Sequence, residues 1–219
     1  MEKYKLPTYT KGEEIFNMIT HIVGAAFAIA ALVLCVVFAA RHHNVYGVIS
    51  GAIYGTSMII LYIMSSIYHG LSPKTGAKRV FRIIDHCTIF LFIAGSYMPF
   101  ALCTFRDCNT TIGWSIFGVS IGFSLLGVIL NIIDIERFKI FSMICYLALG
   151  WCGIFTIPML YSGIGIPGIA LLASGGVVYS IGAVFYKLGK SKKYMHSIFH
   201  ILIVIASILQ FLCILLYVM

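Results

Sequence analysis

Long apolar runs separated by short polar breaks dominate the sequence. A helix that crosses the hydrocarbon core of a bilayer needs about 20 apolar residues. Seven segments reach that length: 15–40, 45–68, 83–105, 112–133, 140–160, 166–186 and 195–218. The runs are far longer than the roughly 10 residues of a barrel strand and do not alternate, so the pattern predicts helices. The fold class read from it is all-α, a polytopic membrane protein in which residues 1–219 form one seven-helix bundle. Between the runs, "TKGE" at Thr10 to Glu13 has the spacing of a capping box. Pro73, Pro158 and Pro167 fall at or near predicted helix ends, while Pro99 lies inside the third segment and predicts a kink there. Gly175 and Gly176, in "ASGGVVYS", predict a close helix approach.

Composition then fixes the solvent. The chain is 61% hydrophobic and 10% charged, with a mean hydropathy of +1.02, too much apolar surface for a water-soluble domain of this size to hide. The net charge of +8 would suit nucleic acid, but topology explains it better. With seven crossings, Lys3, Lys5, Lys11, Lys74, Lys78, Arg79, Arg82, Arg137, Lys139, Lys187, Lys190, Lys192 and Lys193 all fall on the side of the N-terminus, and only Arg41 and Arg106 on the other. That asymmetry places the N-terminus in the cytoplasm and the C-terminus outside. The expected partners are a membrane lipid as substrate or ligand and anionic inner-leaflet lipids, with no nucleic acid. The first apolar run reads as a full span and not as a cleavable signal, so the expected location is the plasma membrane. The seven cysteines form no CxxC pair and mostly sit inside spans; Cys103 and Cys108, near the outer face, are close enough in sequence to leave a disulfide open.

Ionisable groups inside spans are costly and therefore informative. His69 ends the second span, Asp85 begins the third, and His196 and His200 open the seventh, all at similar depth near the cytoplasmic face. The i, i+4 spacing of His196 and His200 stacks both imidazoles on one helix face. Together with His69 they make a three-nitrogen set for Zn(II), which leaves one coordination position open for water. Asp85 is the candidate to orient that water or take its proton, and Ser65, one turn before His69, to hydrogen-bond to it. Asn17 and His21, with Glu13, form a polar stripe on the first span; these and Tyr68 are candidates for supporting the site or touching substrate. Each residue has a plainer alternative: interfacial anchoring for the histidine pair, a bond to its own helix for Ser65, a structural seam for the Asn17 stripe. His42 and His43 read as solvated, and His86 as turned away from Asp85.

In order along the chain, "EEIFNMITHIVGA", "SSIYHGL", "IIDHCTIFLFIAGSYMPF", "RFKIFSMICYLALGW", "GGVVYSIGAVFYKLGK" and "YMHSIFHILIVIAS" resemble the successive motifs of the haemolysin III family, the bacterial branch of the progestin and adiponectin receptor superfamily. The resemblance implies seven helices with the N-terminus inside and a zinc ion on His69, His196 and His200, with Asp85 and Ser65 beside it. It also implies a likeness to alkaline ceramidases, hence hydrolysis of a lipid amide. The short N-terminal tail departs from the receptor branch and speaks against a hormone-receptor role. Ser197 stands where many bacterial members carry an acidic residue.

Three function classes follow: a zinc-dependent hydrolase of a lipid amide or ester, a lipid or membrane-stress sensor with structural zinc, and a pore-forming cytolysin. Seven permanent spans offer the last no support. Neither the lipid nor the oligomeric state is written in the sequence.

Overall fold

A computed structural model describes residues 6–219, so Lys3 and Lys5, which contribute to the charge asymmetry, lie outside the described residues. The described residues are helical almost throughout, without a strand. The elements are α1 (Lys11–Arg41), α2 (Val45–Gly70), α3 (Gly76–Pro99), α4 (Thr110–Trp151), α5 (Ile157–Leu188) and α6 (Met195–Tyr217). Among the described residues, five stretches are long and apolar enough to cross a membrane: Lys11–Arg41, Val45–Gly70, Gly76–Cys108, Thr110–Leu188 and Met195–Tyr217.

Local chemistry sets most of the boundaries. The capping box forms as its spacing predicts: the Thr10 hydroxyl accepts from the Glu13 N–H at 3.2 Å, and the Glu13 carboxylate accepts from the Thr10 N–H at 2.8 Å. Asn44 starts α2 by accepting from the Gly47 N–H, and Asn109 starts α4 by accepting from Ile112. Pro99 has no N–H to donate into its helix. There α3 changes its winding, and Phe100–Phe105 continue as a wider π-helix before a single α turn at Arg106–Cys108.

The Thr110–Leu188 stretch has 79 residues, a span of about 118 Å if it were straight, against a hydrocarbon core of about 30 Å. It is not straight. At Asp134 the backbone is extended, with φ −163° and ψ 95°, and the Asp134 carboxylate accepts from the N–H groups of Glu136 and Arg137, restarting the helix at once. Across this bend the Asn131 side chain accepts from the Ser142 hydroxyl at 2.8 Å and donates to the Tyr146 hydroxyl at 3.3 Å. In a continuous helix those positions would lie roughly 16 and 22 Å away, so the second arm of α4 folds back on the first. The six-residue polar break expected at 134–139 is thus a turn centred on one aspartate. A second break falls at Gly165, with φ 63° and ψ −177°, a conformation suited to a residue without Cβ. Helix resumes directly after it, and the short segment before it is also helical, so the 161–165 loop contracts to a single residue.

The helices close into a ring: α1 packs on α2, α2 on α3, α3 on α4, α5 on α6, and α6 on α1. The second arm of α4 reaches α5 through Trp151, whose indole donates to the Ser180 hydroxyl at 2.9 Å. Gly175 and Gly176 lie in ordinary contact with their neighbours: a Cβ at Gly175 would sit 3.4 Å from the Ala206 carbonyl oxygen of α6, and one at Gly176 3.5 Å from the Trp151 ring, so neither position requires glycine for the approach expected of it. Tyr54, Met58, Tyr62 and Ala28 are fully buried at the centre, whereas large apolar side chains such as Val23, Ile132 and Phe155 face outward, as they do when the surroundings are hydrocarbon. All seven thiols are free. Cys103 is buried beside Ser50 and Asn44, while Cys108 lies against Ser162, so no disulfide joins them.

Candidate metal centre

One end of the ring gathers polar groups that the sequence scatters over four helices. His69 stands one residue from the end of α2, and His196 and His200 occupy the first two turns of α6. All three are buried, and one ring nitrogen from each lies within 4.8 Å of the others. The Nε2 atoms of His196 and His200 are 3.0 Å apart. A tetrahedral ion with metal–nitrogen bonds of about 2.0–2.1 Å holds its ligand nitrogens about 3.3 Å apart, so the pair already has nearly the required spacing.

Hydrogen bonding on the far side of two rings determines what the near side offers. The Nδ1 of His69 is 2.6 Å from the Glu14 carboxylate. A carboxylate only accepts, so Nδ1 carries the hydrogen and Nε2 presents its lone pair. That Nε2 is buried and has no hydrogen-bond partner. On α6, the Nδ1 of His200 is 2.8 Å from the Nε2 of His21, a pairing that turns the other His200 nitrogen toward His196. A shared hydrogen or a cation held by both lone pairs reconciles two imidazole nitrogens at such a distance. Three convergent imidazoles, of which His69 has a carboxylate behind one nitrogen and an open lone pair on the other, fit a metal ion.

The helix that carries the histidine pair starts unusually. Tyr194 adopts the left-handed conformation, with φ 61°, and α6 has no side-chain cap of its own. Instead the Tyr194 N–H donates to Glu13 of α1 at 2.6 Å, so the carboxylate of the capping box also fixes the entrance of α6. Tyr9, just before α1, stacks on His196 with ring centroids 4.8 Å apart and planes 18° from parallel. Burial, with the neighbouring Tyr68, Tyr186 and Glu14, pushes the Tyr9 phenol well above its usual range and keeps it neutral.

His196 and His200, with His21 and His86, line the polar end of an otherwise apolar cavity of about 330 Å³. Asp85 and Ser65 line the same cavity, and the Asp85 carboxylate faces His86, His69 and the Ser65 hydroxyl. Tyr68 meets His69 edge-on, with ring centroids 4.7 Å apart. Asn17 and His21 are buried along the stripe that their spacing predicts, with both Asn17 side-chain atoms and the His21 Nδ1 unpartnered. Ser197 is buried too, and its hydroxyl has no partner.

Several assignments change. His86 does not turn away: it lines the cavity, its Nδ1 3.9 Å from Asp85, its Nε2 3.3 Å from the Tyr186 hydroxyl. His42 and His43 are exposed, although the His42 ring bonds the Met219 carbonyl oxygen. Lys78, read as a loop charge, is 1% exposed within α3 and donates to Glu14 at 2.7 Å and to the Leu71 carbonyl at 3.0 Å. Glu14 and Tyr9 escaped the sequence reading as well. Glu14 lies seven residues before His21, two helical turns on the same face, and that spacing was the available signal.

Comparison with known proteins identifies the family. The family model described as "Haemolysin-III related" matches residues 9–211. "Hemolysin-3" of Bacillus cereus is 36% identical over 219 residues, covering 100% of this chain and 97% of that protein. The "Hemolysin-3 homolog" of Bacillus subtilis is 35% identical over 209 residues, with 95% and 96% covered. The human "Monocyte to macrophage differentiation factor" is 26% identical over 214 residues, 95% of this chain and 84% of that one. The chain is an integral membrane protein that belongs to the haemolysin III-related family, within the progestin and adiponectin receptor superfamily.

Proposed function

We propose that this protein is a zinc-dependent hydrolase acting inside the membrane on a lipid amide or ester, with seven crossings, a cytoplasmic N-terminus and an outer C-terminus. The observation that carries the reading is the meeting of three buried histidine nitrogens within 4.8 Å of one another, with His196 and His200 lining the polar end of an apolar cavity. The fold-back at Asp134 and the break at Gly165 support the count of seven, since each ends a run of about one membrane thickness. The basic residues Lys74, Lys187, Lys190, Lys192 and Lys193, on the histidine side, support the orientation.

His69, His196 and His200 would hold the ion, which when bound would supply Lewis acidity and lower the pKa of water to about 7. Asp85 takes the proton released in the reaction and returns it to the leaving group, the two-way role of a general base. Ser65 orients the Asp85 carboxylate, Tyr68 holds the His69 ring edge-on, and His21 supports His200 from α1, with the open Asn17 amide one turn before His21. Ile89, Phe92, Leu172 and Ile203 supply an apolar wall suited to an acyl chain and exclude bulk water.

A second reading, a lipid sensor with structural zinc, is favoured by one contact: Tyr9 stacks over His196 and covers part of the site. Turnover separates the two. Elemental analysis of detergent-purified protein should find about one zinc per chain, and none in a folded His196→Ala/His200→Ala variant. Asp85→Asn should keep the zinc and lose hydrolysis of a lipid-amide panel. Zinc retained with no turnover of any amide or ester by the parent supports the sensor; no zinc in a folded, zinc-supplied parent removes both readings.

A further inference from the structure

The first turn of α1 contains no metal ligand, yet it reaches both sides of the histidine cluster. Glu13 fixes the entrance of α6, and Glu14, its neighbour, lies between His69 of α2 and Lys78 of α3. The Glu14 contacts are short, 2.6 Å from Oε2 to His69 Nδ1 and 2.7 Å from Oε1 to Lys78 Nζ, and both partners are nearly sealed from solvent. An ammonium group buried to this degree is costly without a counter-charge. Lys78 has one in Glu14, and it also donates to the Leu71 carbonyl just past the end of α2. One oxygen of the carboxylate is thereby anchored to α3 and the other left to His69. The result is a chain from α3 through α1 to α2 whose last atom, the orphaned His69 Nε2, points at His196 and His200.

We infer that Glu14, held by Lys78, is a positioning residue of the metal centre: it fixes the tautomer and direction of the His69 ring and so sets how tightly the site holds its ion. The inference rests on the metal reading above. Its physical content is that a ligating imidazole is a better donor when its other nitrogen gives its hydrogen to a carboxylate, an effect typically worth about 10–100-fold in affinity. The effect passes through His69 alone, because neither oxygen of Glu14 is engaged with His196 or His200.

The test is zinc affinity of the full chain in detergent, measured by competition with a chromophoric chelator, beside helical circular dichroism. Glu14→Gln should bind zinc about 10–100-fold more weakly than the parent while keeping its helical signal. In a His69→Ala background the same substitution should change affinity by less than about twofold, since the residue it acts through is gone. A purely structural role predicts equal losses in both backgrounds and would overturn the proposal, as would Glu14→Gln binding like the parent. Should Glu14→Gln leave Lys78 stranded and fail to fold, Glu14→Gln/Lys78→Met removes both charges and carries the same affinity prediction. The two readings fail differently. A parent that binds no zinc sinks the metal centre itself, whereas a parent that binds zinc and loses it on His200→Ala, with Glu14→Gln unaffected, sinks only the positioning role.

Discussion

The two ends of the bundle handle buried polarity in opposite ways. At the end where α1 meets α2 through Asn44, polar side chains are used up: Asn44 caps Gly47, Ser50 bonds the Gly47 carbonyl, and Arg106 bonds the Leu102 carbonyl and Asp107 while lying 3.6 Å over the Tyr46 ring. Among the described residues, none of these carries a buried side-chain atom without a partner. At the histidine end, Asn17, His21, His69, His196 and Ser197 each leave at least one such atom open. An unsatisfied buried polar group costs about 1–3 kcal/mol, so this cluster of open atoms is where the ion proposed above would offset the most. One end is closed by its own side chains; the other keeps its donors and acceptors open.

The largest effect that would break this contrast concerns zinc. At free zinc one hundred times its dissociation constant, binding should stabilise the parent by about 2.7 kcal/mol, read as a rise in thermal midpoint in detergent. His196→Ala/His200→Ala should abolish that rise; a midpoint that still climbs with zinc would place the ion elsewhere. A smaller effect should follow from Gly189→Ala, which alters no polar group. The added Cβ would approach the Cβ and backbone nitrogen of His196 to 2.9 Å, forcing the start of α6 to shift at a cost of about 1–3 kcal/mol. Zinc titration should show a weakened site, and an unchanged affinity would mean that α6 adapts without moving its histidines. Smallest, Asn44→Ala should lower stability by about 1 kcal/mol through its lost cap, equally with and without zinc. A zinc-dependent difference there would show the two ends to be coupled.

Much of this was legible in the sequence because it depends on periodicity. The apolar runs mark the helices, the i, i+4 pair marks the face of α6 that bears His196 and His200, and T-x-x-E marks the start of α1. What stayed hidden depends on three-dimensional choice between equivalent neighbours. Glu13 and Glu14 are chemically alike, and only the packing of α2, α3 and α6 decides that one goes to Tyr194 and the other to His69. Lys78 looks like any basic residue beside a span until α3 is seen to begin at Gly76 and turn it inward. The break at Asp134 was visible as polarity, but the clasp of Asn131 on Ser142 and Tyr146 was not, since it joins residues on different arms.

The bond from the Tyr194 N–H to Glu13 spans 181 residues of chain. During synthesis, Glu13 and Glu14 are made well before α6, which brings its entrance turn and two histidines some 181 residues later. Until that moment His69 stands opposite no partner ligands, and the acidic turn of α1 is only half engaged. Glu13 thus ties the first helix to the last one made, and the entrance of α6 closes only once both ends of a 181-residue separation are in place.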